Sequence, residues 1–241
     1  PGALSGLQGD WPQRLRLWSG LVLMAYAASH LGNHAVGLWS LADAEALRLY
    51  FTAFWRSWPG TALLAGSALV HISLALAKLF AGKTWRLAWW QWLQAEHVLG
   101  TRIAHELYGY QDNYAFVVAV NWPGRVPNMI WLIGAVWLHG CIGIHYWGRL
   151  YPAYRRLRPW LLGGAIALPL LGFAGFAGMG KEIQGLRAAS RDWFPDLLQR
   201  IDFPGRPAIQ FVDQAANIAI LTAAAVVATL ILVRLLRTWQ A

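Results

Sequence analysis

Apolar residues gather in long blocks along this chain, broken by short polar stretches rich in Arg, Trp and Pro. A helix needs roughly 20 mainly apolar residues to cross a bilayer core, so each block predicts a membrane span. Six are predicted: about Arg14 to Leu41, Trp58 to Phe80, Trp85 to Tyr108, Val126 to Leu150, Trp160 to Met179, and Val212 to Leu236. The pattern predicts an all-α fold, a polytopic transmembrane helical bundle of about six helices over residues 14–241. Residues 1–13 read as an expression remnant or a disordered lead. Residues 180–211 read as an external loop, long enough for a surface helix anchored by Trp193 and Phe194. The third block carries Gln91, Gln94, Glu96, His97, Arg102, His105 and Glu106. Such a helix cannot face lipid all round, so other helices must enclose it or it must border a polar cavity.

Composition supports a membrane class. Only 13% of residues are charged, against about a quarter in soluble domains. Many of the 16 Trp lie near the predicted helix ends, where an apolar body with a polar edge suits the lipid–water interface. The net charge of +9 does not indicate a nucleic-acid partner. The basic residues sit in short loops between apolar blocks, where they act as topology signals.

Those signals set an orientation. One side holds Arg14, Arg16, Lys83, Arg86, Arg149, Arg155, Arg156, Arg158, Arg234 and Arg237. The short loops of the other hold Arg48, Arg56 and Arg125. The positive side is cytoplasmic, so both termini are expected inside a bacterial inner membrane that the chain crosses several times.

All seven histidines fall in the first four predicted spans: His30 and His34 in the first, His71 in the second, His97 and His105 in the third, His139 and His145 in the fourth. An ionisable group in hydrocarbon needs a partner or a task. Imidazole binds haem iron through one ring nitrogen while the other needs an acceptor. His71, His97 and His139 lie near the middles of their spans, and His30 lies slightly outward of the middle of the first. One histidine from each of four helices could supply two bis-histidine haems, which favours electron transfer over oxygen binding. No Cys-x-x-Cys-His motif is present, so the haem would be b-type.

Spacing sorts the remainder. His30 and His34 are four apart and share a helix face, so either could reach one haem. His139 and His145 are six apart, about 240° around the helix, and cannot both enter one site. Gly32, Gly37, Gly66, Gly100, Gly140 and Gly143 lie near these histidines; they would admit a flat porphyrin, and equally a neighbouring helix. The alternatives stay open. The histidines could make interhelical hydrogen bonds, or His30 and His34 could form half of a Zn or Cu site. Arg102 could pair with Glu106, or bind a haem propionate or quinone carbonyl. Cys141 reads as a small packing residue.

The stretch Ser29-His30-Leu31-Gly32-Asn33-His34-Ala35-Val36-Gly37-Leu38 resembles the first span of the membrane anchors of certain bacterial class III adenylate/guanylate cyclases. Those anchors look like the dihaem cytochrome b subunit of succinate dehydrogenase and fumarate reductase. Similar motifs follow in order: Trp55-Arg56-Ser57-Trp58-Pro59-Gly60-Thr61, His71 with its apolar turn, His97-Val98-Leu99-Gly100-Thr101-Arg102, and Trp137-Leu138-His139-Gly140-Cys141-Ile142-Gly143-Ile144-His145-Tyr146-Trp147. The resemblance covers about Leu15 to Lys181. It implies a haem-binding core on the first four helices, with His30 and His97 on the iron of an outer haem b and His71 and His139 on that of an inner one. His34 and His145 match the cyclase-anchor pattern with no ligand role implied. His105 matches neither family.

The resemblance further implies a dihaem membrane anchor that senses redox state, through quinone or quinol, and regulates a cytoplasmic adenylate cyclase domain beyond Ala241. On that expectation the chain is a membrane domain without a catalytic site of its own, cut from a lyase. A homodimer in membrane lipid is the expected assembly. An anchor subunit of a respiratory succinate/fumarate:quinone oxidoreductase is the alternative. A haem-free helical receptor or structural anchor is another.

Overall fold

The computed structural model describes residues 11–81 and 104–211, with scattered helical positions between 214 and 232. Most of the third predicted span, with His97 and Arg102, lies outside the described residues, as does most of the sixth. The described elements are all helical, with no strand among the described residues. In chain order they are α1 (Trp11–Val36), α2 (Leu41–Trp55), α3 (Trp58–Ala81), α4 (Ala104–Tyr108), α5 (Tyr114–Asn121), α6 (Val126–Gly148), α7 (Pro152–Ala189) and α8 (Trp193–Arg200). They fall into two compact units. One joins Pro1–Lys83 with Tyr114–Arg191, the other Thr84–Asn113 with Asp192–Ala241.

Among the described residues three helices are long and apolar enough to cross a membrane: Trp58–Ala77 within α3, Val126–Gly148 and Pro152–Ala189. Their large side chains point outward; Leu69, Trp131, Leu138 and Leu162 are all exposed. A soluble fold rarely leaves so much contiguous apolar surface uncovered.

α1 is not among those three. It packs along α3 and α7 and also against α2 and α6, and its buried positions include Ser19, Asn33 and His34. A helix carrying polar groups at this depth must be enclosed by protein that supplies partners. Small residues make the enclosure close. Gly172, Gly175 and Gly178 of α7 follow Leu31 and His34 of α1 and Gly37 just beyond it in the same order, so the two helices run parallel. An added Cβ would stand 3.1 Å from the Leu31 carbonyl at Gly172 and 3.0 Å from the Gly37 carbonyl at Gly178; at Gly175 it would overlap the His34 carbonyl oxygen. Close backbone approach of this kind holds helices together where lipid removes the hydrophobic drive.

α7 tolerates two internal prolines, Pro159 and Pro169. Proline has no N–H, so the carbonyl four residues earlier loses its helical donor. For Pro169 that carbonyl belongs to Ala165, and Trp137 Nε1 of α6 donates to it at 2.7 Å. A carbonyl left bare in a membrane is costly, and the indole repairs it.

Three boundaries differ from the sequence expectation. The first span ends at Val36, and Gly37 to Trp39 form a turn. α2 replaces a short loop. Ser40 caps it by accepting from Asp43 N at 3.0 Å, and Glu182 of α7 accepts from Leu41 N at 2.9 Å; the apparent loop was a capped helix whose second cap is remote in sequence. The fifth span runs 38 residues, continuing past Met179 to Ala189 because Met179, Gly180 and Ile183 remain buried. Within the expected external loop a short helix, α8, forms in the second unit, with Leu197 and the following Ile201 buried and Trp193 stacked on Phe194 at 6.4 Å.

Candidate functional site

Along α1 the first unit places imidazoles at two levels. Eleven residues separate Ser19 from His30, so the levels lie roughly 16 Å apart along the axis.

At the lower level His71 of α3 meets His139 of α6, with ring centroids 6.1 Å apart and planes at 86°. His71 is held from behind by α1. Its Nδ1 lies 3.1 Å from the Arg16 carbonyl oxygen and 3.2 Å from Ser19 Oγ. The Ser19 hydroxyl also donates to the Arg16 carbonyl at 3.1 Å. A carbonyl only accepts, so Nδ1 carries the proton and Nε2 carries the free lone pair. This is the arrangement seen behind metal-bound histidines, where a backbone carbonyl fixes the tautomer and raises ligand basicity. α1 comes this near because residue 20 is glycine: an added Cβ would stand 3.1 Å from His71 Cε1. On α6, Gly140 admits Met24 of α1, whose sulfur would be 2.5 Å from an added Cβ.

The spacing of the two rings suits one metal ion between them. A ring nitrogen binds a first-row metal at about 2 Å, and a ring centre lies about 1 Å further on, so two axial imidazoles have centres roughly 6 Å apart. Two imidazoles on facing helices, one with its tautomer fixed, are residues that could hold a haem iron from both sides. A Zn or Cu site would want further ligands. Among the described residues no group of three or more His, Cys, Asp or Glu could hold a metal ion.

At the upper level His30 and His34 bring their Nε2 atoms to 3.2 Å, so the four-residue spacing does place both on one face. Tyr26 stacks on His30 at 6.0 Å. Tyr114 and Phe176 stand edge-on to His34 at 5.3 and 5.7 Å. Asn33 Nδ2 donates to Tyr114 Oη at 2.6 Å. Tyr114 N in turn donates to Glu45 Oε2 at 2.9 Å, and Glu45 is paired with Arg48. Burial pushes the Tyr114 phenol well above its ordinary range, and the Asn33 hydrogen bond offsets only part of that. Beside His34 opens an apolar cleft lined by Leu31, Met129, Ile133, Gly172 and Phe176. His97, the expected partner of His30, lies outside the described residues.

The other candidates separate cleanly. His145 Nδ1 meets Tyr154 Oη of α7 at 2.9 Å, a tie between α6 and α7 distinct from the contact His139 makes. His105, in the second unit, contacts the Tyr110 carbonyl at 2.5 Å and lies 3.5 Å from Asp112 Oδ1, a local structural role. Arg102 lies outside the described residues. Cys141 is half-buried. Of the glycines near histidines, Gly37 and Gly140 make close contacts, whereas Gly32, Gly66 and Gly143 face open space.

Sequence reasoning missed Ser19, the Arg16 carbonyl and Tyr114. A serine three residues after an arginine gives no ligand-support signal, and a backbone carbonyl gives none at all. Tyr114 lay in what read as a loop.

No protein-family pattern, curated protein or solved structure matches the chain.

Proposed function

We propose that this chain is a dihaem cytochrome b-type membrane anchor, which takes up and passes on electrons and so reports redox state to a cytoplasmic partner domain. The observation that carries the reading is the His71–His139 pair, 6.1 Å between ring centres, with His71 Nδ1 tied to the Arg16 carbonyl. When bound, haem would supply a one-electron couple buried in the membrane. His71 and His139 would hold the inner haem; His30, with His97, would hold the outer one. Ser19 and the Arg16 carbonyl keep the His71 proton on Nδ1, so Nε2 stays available. The tight α1–α7 seam buries His34. His34 Nε2 lies 3.2 Å from His30 Nε2, so His30 would leave that contact, or offer Nδ1, to take iron, while Tyr114, held by Asn33, lines the flank of His34.

What supports the cyclase partner is the set of motifs from Ser29 to Trp147. The same motifs resemble the anchor subunit of a respiratory succinate/fumarate:quinone oxidoreductase. The two readings separate on the protein that co-purifies: a covalently continuous cyclase domain, or a separate flavin subunit. A haem-free receptor is separated from both by colour.

The deciding experiment is a pyridine haemochrome assay on protein expressed with ample haem. Close to two non-covalent haems per chain are expected, with a Soret band that shifts on reduction. A fully haem-replete preparation that binds none ends this reading.

A further inference from the structure

The end of the first unit where α6 meets α7 is an arginine corner that shows no ion pair among the described residues. Arg149 follows α6, and Arg155, Arg156 and Arg158 occupy the first two turns of α7; all four are exposed. Neither 11–42 nor 114–181 contains an Asp or Glu. Asp43, Glu45 and Glu182 gather at the far end, around α2, where Glu182 caps Leu41.

The arginines also sit at the wrong end of a helix. α7 opens with no acidic residue, and Tyr151 at its cap makes no side-chain capping bond. The positive end of the helix dipole therefore adds to the guanidinium charge, which favours a bound anion. The corner itself is firmly built. The Tyr154 ring lies on Gly148, where an added Cβ would stand 2.5 Å from Cδ2, and its hydroxyl is held by His145 Nδ1 at 2.9 Å. Arg149 lies 4.8 Å over the Tyr146 ring.

The surroundings say what kind of anion. Trp160, on the same end of α7, is 80% exposed, which suits a side chain at the lipid–water interface. Leu161 and Leu162 are exposed one turn further on, on the face of α7 that carries Arg155 and Arg158, where acyl chains would run. A soluble phosphate would leave that apolar rim unused.

We propose that the α6–α7 corner is a binding seat for an anionic phospholipid, its phosphate taken by the guanidiniums of Arg155 and Arg158, with Arg156 adding charge beside them, and its chains laid along Leu161 and Leu162. Arginine forks match phosphate oxygens in pairs, so the seat prefers a charged headgroup over a zwitterionic one. This inference is independent of haem and rests on the membrane-crossing helices alone.

The test is native mass spectrometry of the full chain released from mixed phosphatidylglycerol and phosphatidylcholine nanodiscs, with thermal shift in each lipid. Retained phosphatidylglycerol and a higher melting temperature in it are expected. A triple variant, Arg155→Gln with Arg156→Gln and Arg158→Gln, should weaken that binding by on the order of a hundredfold, at about tenfold or less for each basic residue. Its melting in pure phosphatidylcholine should match the parent, which shows that it folds. A control, Lys181→Gln with Arg191→Gln and Arg206→Gln, removes the same charge elsewhere and should keep the lipid. On the unaltered chain the preference should fall with added salt. Equal loss in variant and control, equal retention of phosphatidylcholine, or equally tight binding of chain-free glycerophosphoglycerol would each overturn the seat.

Discussion

The imidazoles of His71 and His139 stand edge to face, 6.1 Å between ring centres, although they come from helices separated by more than forty residues of intervening chain. The α1 backbone at Arg16 fixes one of them. If a single haem lies between these rings, His71→Ala and His139→Ala must each remove the same haem, and the double variant must remove no more than either alone. His145→Ala, whose ring is engaged by Tyr154, should leave haem content unchanged. Haemochrome content and reduced-minus-oxidised spectra read all four. Loss of two spectrally different haems by the two single variants would sink the pairing.

The seam between α1 and α7 makes a sharper stability prediction. At Gly175 an added methyl would overlap the His34 carbonyl oxygen, which is backbone and has nowhere to go, whereas at Gly163 nothing lies within 4 Å. Gly175→Ala should cost about 1–3 kcal/mol through overpacking. Gly163→Ala should be neutral or gain up to about 1 kcal/mol through helix propensity. Thermal unfolding in one detergent compares them; equal melting temperatures would mean that the seam is not closely packed in solution.

Much of this was legible in the sequence, for identifiable reasons. The spans beginning at Trp58 and Val126 announced themselves because their apolar runs are bounded by Trp-Pro and Val-Pro and coincide with α3 and α6. The facing of His71 and His139 followed from a resemblance, while the four-residue spacing of His30 and His34 alone placed them on one face. α2 was invisible as an element, because the Glu182 side chain that completes its N-terminal capping lies 141 positions away. The 38-residue length of α7 was hidden by Gly180 and Lys181, which read as a loop until burial of Ile183 is known. The support behind His71 could not be read at all, since its main acceptor is a main-chain oxygen.

Tyr114 gives a pH prediction. Burial raises its phenol above the ordinary value of 10.0. For an acid whose folded pKa is raised, the folded state keeps the proton after the unfolded state has lost it. Stability is therefore unaffected below about pH 10 and falls as pH rises beyond it. Tyr114→Phe removes this contribution, so the variant should lose stability less steeply than the parent between pH 9 and 11. The variant starts lower, because Asn33 Nδ2 loses the acceptor it holds at 2.6 Å, a cost of about 1–3 kcal/mol. Chemical unfolding across that range compares the slopes; parallel curves would show that Tyr114 ionises as freely folded as unfolded.

The last prediction concerns how the bundle accommodates Pro169. A proline inside a membrane helix deletes the donor to the carbonyl four residues before it, and here that carbonyl, on Ala165, takes its hydrogen bond from Trp137 Nε1 at 2.7 Å. The two residues therefore depend on each other although they sit on different helices. Trp137→Phe keeps an aromatic ring at the site but removes the N–H, leaving the Ala165 oxygen bare at membrane depth, which should cost about 1–3 kcal/mol. Pro169→Ala restores a main-chain N–H within reach of the same oxygen. In that background the indole bond is redundant, so Trp137→Phe should cost less by about 1 kcal/mol or more. Changes in ring size are common to both backgrounds and cancel in the cycle. Four proteins, melted in one detergent, give the coupling. Additive effects would mean that Trp137 is held by packing alone and that the carbonyl finds its donor elsewhere.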